Sequence, residues 1–248
     1  MRRKWATFEK KLSQMFQESV ILDMSGVCRD EFLPVDVPSR LVDCRDLAGT
    51  SCYLSDEARE EILRRISDCP LEAVHWIDSG DYHYLTKLWA DRIRERFSLV
   101  LYDNHPDMQA PAFGEILSCG GWVRSLLREH PFLEKVYLVG TSDALAEETR
   151  WAGERVVRLP AGPVPVTGAV YLSIDRDVLD WADARTDWDQ GSMRLPVLLR
   201  DVKDLAERCR ILGVDICGAR PSGKGGTAED FAVNRRTARE LADLFLMR

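Results

Sequence analysis

Ser98-Leu99-Val100-Leu101-Tyr102-Asp103-Asn104-His105-Pro106-Asp107 joins an apolar run directly to three metal-type ligands at alternate positions. The first five residues read as a buried strand, and a strand apolar on both faces belongs to a sheet covered on both sides. Open α/β sheets bind their ligands at the carboxyl ends of such strands. If the chain stays extended past Tyr102, then Asp103, His105 and Asp107 point the same way. Two carboxylates and an imidazole suit a divalent cation such as Mn²⁺ or Zn²⁺. The same residues also read as a solvated strand-end loop with a lone histidine, and this stretch alone does not separate the two.

Ala169-Val170-Tyr171-Leu172-Ser173-Ile174-Asp175-Arg176-Asp177 repeats the pattern, with Asp175 and Asp177 on one face and Arg176 on the other. Four carboxylates gathered without a cation raise one another's pKa. Two metals about 3.5–4 Å apart, bridged by carboxylates, remove that cost and create a hydrolytic site. Upstream, the strand-like Ala73-Val74-His75-Trp76-Ile77 runs into Asp78-Ser79-Gly80-Asp81-Tyr82-His83-Tyr84. Gly80 is read as permitting a tight exit from that strand. His83 then reaches the same sheet edge, either as a ligand or as a capping or core histidine.

In chain order these segments resemble the ureohydrolase (arginase and agmatinase) superfamily. Its members carry Gly-Gly-Asp-His, then Asp-x-His-x-Asp, then Ser-x-Asp-x-Asp, each at a strand end. The resemblance runs from Ala73 to Pro221, with Tyr82 interrupting the first motif's Asp-His pair. It implies one Mn²⁺ held by His83, Asp103, Asp107 and Asp175, and a second held by His105, Asp103, Asp175 and Asp177. Asp103 and Asp175 would bridge, and Zn²⁺ or Co²⁺ are the alternative metals. It further implies a metal-bridging hydroxide that cleaves a C–N bond in a guanidine, amidine or amide. Asp107 and Asp177 are the candidate catalytic residues, Asp107 orienting the hydroxide as well as ligating. A metal-dependent deacylase of the same fold and a non-catalytic, metal-stabilised binding protein are the other readings.

The chain departs from this family in its specificity residues. Asp215-Ile216-Cys217-Gly218-Ala219-Arg220-Pro221 places Gly218 where the family has a glutamate for the guanidinium. Leu117-Ser118-Cys119-Gly120-Gly121-Trp122 has no histidine where the family has its proton shuttle. A lost charged hydrogen bond of about 1.5–3 kcal/mol weakens binding by about 10–150-fold. Feeble activity on free arginine and agmatine is therefore expected. Asp81, Glu115 and Asp189 are candidate replacement carboxylates. Arg220 is expected to favour a larger or acid-bearing substrate, whether a small molecule or a peptide side chain.

Three rival motifs fall short. Gly218 to Gly225 matches G-x-x-x-x-G-K, but Gly225 stands where a phosphate loop needs Ser or Thr, and Pro221 removes a backbone N–H. A DHH-type phosphoesterase would need histidine at Asn104 and its acidic partner upstream. A glycosyltransferase using Asp175 and Asp177 leaves Asp103 to Asp107 unexplained.

With 248 residues, 45% hydrophobic, the chain is long enough for one sizeable domain and short for two. Alternating strands and helices predict a single three-layer α/β/α domain over residues 1–248 with a mainly parallel sheet, and the resemblance implies the arginase/deacetylase-like class. Expected helices cover Asp56–Ser67 with Ser55 as N-cap, Tyr84–Arg96, Gly114–Glu129, Asp143–Trp151, a segment starting at Pro196, and Thr227–Met247. Residues 24–54 read as surface loop. A net charge of −7 argues against nucleic acid or an anionic membrane as partner, while a homo-oligomer stays open. No apolar signal core or membrane-spanning run is present, which makes cytoplasm the expected compartment. Seven cysteines without knuckle spacing read as reduced structural thiols, with Cys119 and Cys217 set apart by their place beside the expected site.

Overall fold

The computed structural model describes residues 16–31, 39–111 and 114–246; the basic opening Met1-Arg2-Arg3-Lys4 lies outside them. In chain order the strands are β1 (Ser19–Asp23), β2 (Ser39–Asp43), β3 (Tyr53–Leu54), β4 (Val74–Ile77), β5 (Phe97–Tyr102), β6 (Leu117–Ser118), β7 (Leu133–Val139), β8 (Val156–Leu159), β9 (Gly168–Asp175) and β10 (Cys209–Cys217). Eight of them form one sheet in the order β2-β1-β4-β10-β9-β5-β7-β8, with all pairs parallel. β3 and β6 form a separate antiparallel ribbon.

Alternation along the central strands sends apolar side chains into two layers. Leu99 and Leu101 face the helices α2 (Asp56–Arg65), α3 (Leu85–Ala90) and α4 (Trp122–Glu129), packing with Ile62, Leu88 and Leu126. Val100 and Tyr102 face the other way, toward α5 (Leu195–Arg208) and α6 (Ala228–Phe245), packing with Leu198, Val202, Leu241 and Phe245. Fully burying one such side chain contributes about 1.5–3 kcal/mol, so the stripes decide which face each helix presents. The expected mainly parallel three-layer α/β/α architecture is the one observed.

Several element boundaries differ from expectation. Gly114–Glu129 does not form one helix: Leu117–Ser118 joins β3, and α4 begins only at Trp122. Gly120-Gly121 explains the late start, since each glycine in a helix interior costs about 1 kcal/mol. The helix expected over Tyr84–Arg96 ends at Ala90, where Asp91 caps it. Asp143–Arg155 is a series of 3₁₀ turns broken at Gly153, whose φ is +55°.

Residues 24–31 and 39–54 are not a plain surface loop; the part of that expectation over residues 32–38 lies outside the described residues. α1 (Val27–Glu31) brings Glu31 into the interior, where it meets Arg176 Nη2 at 2.8 Å with both side chains fully buried. Arg176 Nε also donates to Cys217 O at 3.0 Å, and Asn234 Nδ2 on α6 donates to Glu31 at 2.7 Å. Arg176 thus pins the loop after β9 to α1 and α6. Thr227 starts α6 through a reciprocal capping box with Asp230. Among the described residues no helix is long and apolar enough to cross a membrane.

These two devices differ in expected worth. Glu31→Ala leaves a buried guanidinium without its carboxylate and is expected to cost about 3–5 kcal/mol. Thr227→Ala is expected to cost about 1 kcal/mol. Denaturant unfolding of both variants tests this, and a loss at Glu31 no larger than at Thr227 would show that the pair anchors nothing.

Candidate metal centre

β4, β10, β9 and β5 are neighbours in the sheet, and their carboxyl ends all open on one edge. β5 delivers Asp103, His105 and Asp107; β9 delivers Asp175 and Asp177; the turn after β4 delivers His83. The structure brings all six predicted ligand residues into one cluster.

The convergence is not achieved by an extended chain. After Asp103 the backbone folds so that His105 N donates to Asp103 Oδ1 at 2.6 Å, and Asp107 sits in the left-handed region at φ +50°. After Asp175 a 3₁₀ turn replaces the strand, with Asp177 N donating to Asp175 Oδ1 at 2.9 Å. Asn104 N donates to Asp177 Oδ1 at 3.0 Å, tying the two ligand loops together. Each of these bonds gives a carboxylate a backbone donor, so loop shape and charge stabilisation come from the same contacts.

Two half-sites result. His83 Nδ1 lies 3.0 Å from Asp107, 3.3 Å from Asp103 and 3.5 Å from Asp175. His105 Nδ1 lies 2.8 Å from Asp177 and 3.5 Å from Asp103. Asp103 belongs to both, the position a bridging carboxylate needs. Behind His83, Ser173 Oγ gives its proton to Asp215 Oδ1 at 2.5 Å and is left to accept from His83 Nε2 at 2.9 Å. That orientation aims Nδ1 at the carboxylates, as an imidazole ligand requires. Trp122 Nε1 donates to Asp107 Oδ2 at 2.5 Å.

The electrostatics fit divalent cations. Burial, reinforced by Asp177, raises Asp175 to about 7. Burial and the charge of Asp103 raise Asp177 to about 7, and Asp103 is raised by burial and Asp107. Burial alone would lower His105, but hydrogen bonds to Asp103 and Asp177 outweigh it and raise the ring to about 11. His83 is raised in the same way by Asp103 and Asp107 against its burial. Asp103 Oδ2 is buried, and the polar group facing it is His83 Nδ1 at 3.3 Å. Four carboxylates and two imidazoles are a donor set suited to hard or borderline divalent cations.

A cleft of about 250 Å³ leads to the cluster, lined by Tyr53, Gln109, Cys119, Leu145, Glu148 and Trp188 besides the ligands. Glu148 is the residue that sequence reasoning missed. Its Oε2 is buried without a hydrogen-bond partner, and burial together with Asp107 raises its pKa. Trp188 comes from the loop Asp180–Met193 and meets the edge of His105 at 5.9 Å between ring centroids. Gly80 is explained by Trp188 rather than by a strained turn: a Cβ there would lie 2.6 Å from Trp188 Cδ1.

The candidate replacement carboxylates lie elsewhere. Asp81 holds Lys224 Nζ at 2.5 Å, Glu115 is exposed beside Arg128, and Asp189 is exposed. Lys224 also meets Asp187 at 2.8 Å, so the G-x-x-x-x-G-K segment spends its lysine on internal acids. At Gly218, φ is +91° and a Cβ would lie 2.4 Å from Asp175 Oδ1. No side chain fits there while Asp175 keeps its place. Arg220 does not line the cleft; it faces Asp230 at 3.9 Å and lies over Trp181. Of the four histidines, His75 is buried against Trp89 and His130 packs against Phe97 and Phe132, so neither replaces the shuttle. All seven cysteines are free thiols.

No protein-family model matches the chain. An uncharacterized protein of Thermotoga maritima is 36% identical over 203 residues, covering 80% of this chain and 78% of that one. Among solved structures, formimidoylglutamase from Bacillus subtilis superposes with a TM-score of 0.66 at 16% identity, over 94% of this chain and 87% of its own. Entamoeba histolytica arginase, solved with L-ornithine, also gives a TM-score of 0.66, at 13% identity over 94% and 99%. Both likenesses are to the fold.

Holding cations requires Asp175 and Asp177 ionised and both imidazoles deprotonated, so metal uptake should release protons. Affinity should therefore fall as pH drops below about 11, where His105 takes up a proton, and more steeply below about 7, where Asp175 and Asp177 do. Calorimetry with Mn²⁺ and Zn²⁺ in buffers of differing ionisation enthalpy measures both quantities. Asp103→Asn should remove both ions, and wild-type stoichiometry in that variant would dismantle the shared-ligand geometry.

Proposed function

We propose, from the premise that this chain and its Thermotoga maritima relative belong to one family with the ureohydrolase fold, that the protein is a binuclear metal-dependent hydrolase of C–N bonds. The observation that carries this reading is the pair of imidazole–carboxylate half-sites sharing Asp103 at the base of an open cleft. Mn²⁺ is the expected ion, with Zn²⁺ and Co²⁺ as alternatives. When bound, such cations supply Lewis acidity and bring the pKa of a coordinated water toward neutrality.

The chain's own residues then divide the remaining work. Asp107, held by Trp122 and facing His83, orients the attacking water, while Asp177 fixes His105. Glu148 faces the cleft with a free buried oxygen, which suits a hydrogen bond from a cationic nitrogen of the substrate and a proton passed at Oε2. It stands where neither Gly218 nor a histidine can serve. Tyr53 and Trp188 wall the mouth.

Arg220 is turned away, and among the described residues no Lys or Arg lines the cleft, which weakens the case for an acid-bearing substrate. A guanidino or amidino compound with an apolar remainder fits these walls better. The seven free thiols support a reducing compartment such as the cytoplasm.

A panel of guanidino and amidino compounds and acetylated amines, assayed with Mn²⁺, Co²⁺ and Zn²⁺, tests the reaction class. Urea or ammonia release is expected, release of a free acid would indicate a deacylase, and silence would leave a metal-stabilised binding protein. Glu148→Gln should lower kcat/KM by about 10–150-fold on a cationic substrate, the worth of one hydrogen bond to a charged group. An unchanged value would remove Glu148 from recognition.

A further inference from the structure

Cys217 lies under the cluster, and nothing in the reaction above uses it. β10 pairs with β9 so that Cys217 stands opposite Asp175, and Cys217 is fully buried. One ligand atom each from Cys217, His83 and Asp175 lies within 4.8 Å of the others. Bonds of about 2.3 Å to sulfur and about 2.1 Å to nitrogen, set end to end, cross most of that spacing. The only hydrogen bond from the thiol among the described contacts runs to Ser79 O at 3.2 Å, the kind of weak donor interaction a cation readily displaces. Gly218 follows immediately, and the space a Cβ there would take is filled by Asp175 Oδ1, so the carboxylate sits close against this end of β10.

Resting on the metal centre proposed above, we infer that Cys217 is a further ligand of the cation held by His83 and Asp175, and that this half-site takes a thiophilic divalent ion, Zn²⁺ in preference to Mn²⁺. Thiolate ligands favour Zn²⁺, whereas Mn²⁺ is suited to carboxylate, carbonyl and water. The S–H bond breaks, a metal–sulfur bond forms, and the proton leaves to solvent, with no change of oxidation state. The sulfur contributes a third kind of donor beside imidazole and carboxylate on one side of a site whose other half, at His105, has none.

The test loads the full-length protein with Co²⁺ under anaerobic conditions and records its absorption spectrum. Sulfur-to-cobalt charge transfer in the near-ultraviolet is expected in addition to the visible ligand-field bands. Cys217→Ser and Cys217→Ala should lose the near-ultraviolet band and keep the visible ones, while Cys52→Ser and Cys119→Ser should keep both. The preference for Zn²⁺ over Mn²⁺ in competition dialysis should fall at least tenfold in the Cys217 variants. Cobalt bound in the wild type with visible bands but no charge transfer would overturn the assignment of Cys217 and leave the metal centre standing. Failure of the wild type to bind Co²⁺ at all would overturn the metal centre itself. Should the Cys217 variants not fold, the wild-type spectrum and the two control variants decide the matter.

Discussion

Confinement of like charge governs this molecule. Asp103, Asp107, Asp175 and Asp177 are all buried at two adjacent strand ends, with His83 and His105 set between them. Two like unit charges about 4 Å apart at an effective dielectric near 20 repel by about 4 kcal/mol, and Asp103 has ligand atoms within 4.8 Å of both Asp107 and Asp177. Burial, reinforced by that repulsion, raises the carboxylates, and hydrogen bonds to the same acids raise the imidazoles against their burial. Such a cluster is tolerable as a place for cations and difficult to explain as packing. Its supporting contacts follow from this, because the N–H groups of Asn104, His105 and Asp177 all point at carboxylate oxygens.

The strand order makes the site a property of the whole chain. β4 and β5 are consecutive among the sheet's strands, yet β10 and β9 separate them in space. The ligands of β4 and β5 therefore meet only after the C-terminal strands have inserted between them, a non-local step. Arg176 makes the insertion specific. Its neighbours Asp175 and Asp177 turn toward the cleft, while its guanidinium turns inward to Glu31, which Asn234 also holds. A loop that must present two acids is thus tethered from behind by one buried cation.

How much of this was legible in sequence depended on whether the signal was local. An apolar run ending in alternate acids reports a strand end and its candidate ligands in one stretch, so β5, β9 and five of the six candidates can be read directly, while His83 is singled out only by the resemblance. The route by which they converge could not, since it depends on a left-handed Asp107 and a 3₁₀ turn at Arg176. Glu148 carries no pattern, being one of two adjacent glutamates in a segment whose 3₁₀ turns resemble an ordinary helix in sequence. Glu31 was invisible for another reason: its partner stands 145 positions away. Gly80 was legible as a glycine but misread in cause, because the ring that excludes its Cβ comes from Trp188.

Gly80 and Gly218 obey the same rule by different means. At each, the volume a side chain would take is already filled, by Trp188 in one case and by Asp175 in the other. A glutamate at position 218 would therefore first displace Asp175 and force an L-residue into positive φ, at about 1–2 kcal/mol for the backbone alone. The absent carboxylate is thus a steric consequence of how tightly β9 and β10 close beneath the cluster. Glu148 lines the cleft with a buried oxygen that has no hydrogen-bond partner among the described residues. A cationic group bound there would be met from the 3₁₀ segment after β7, so the proposed recognition rests on that segment and not on the sheet edge.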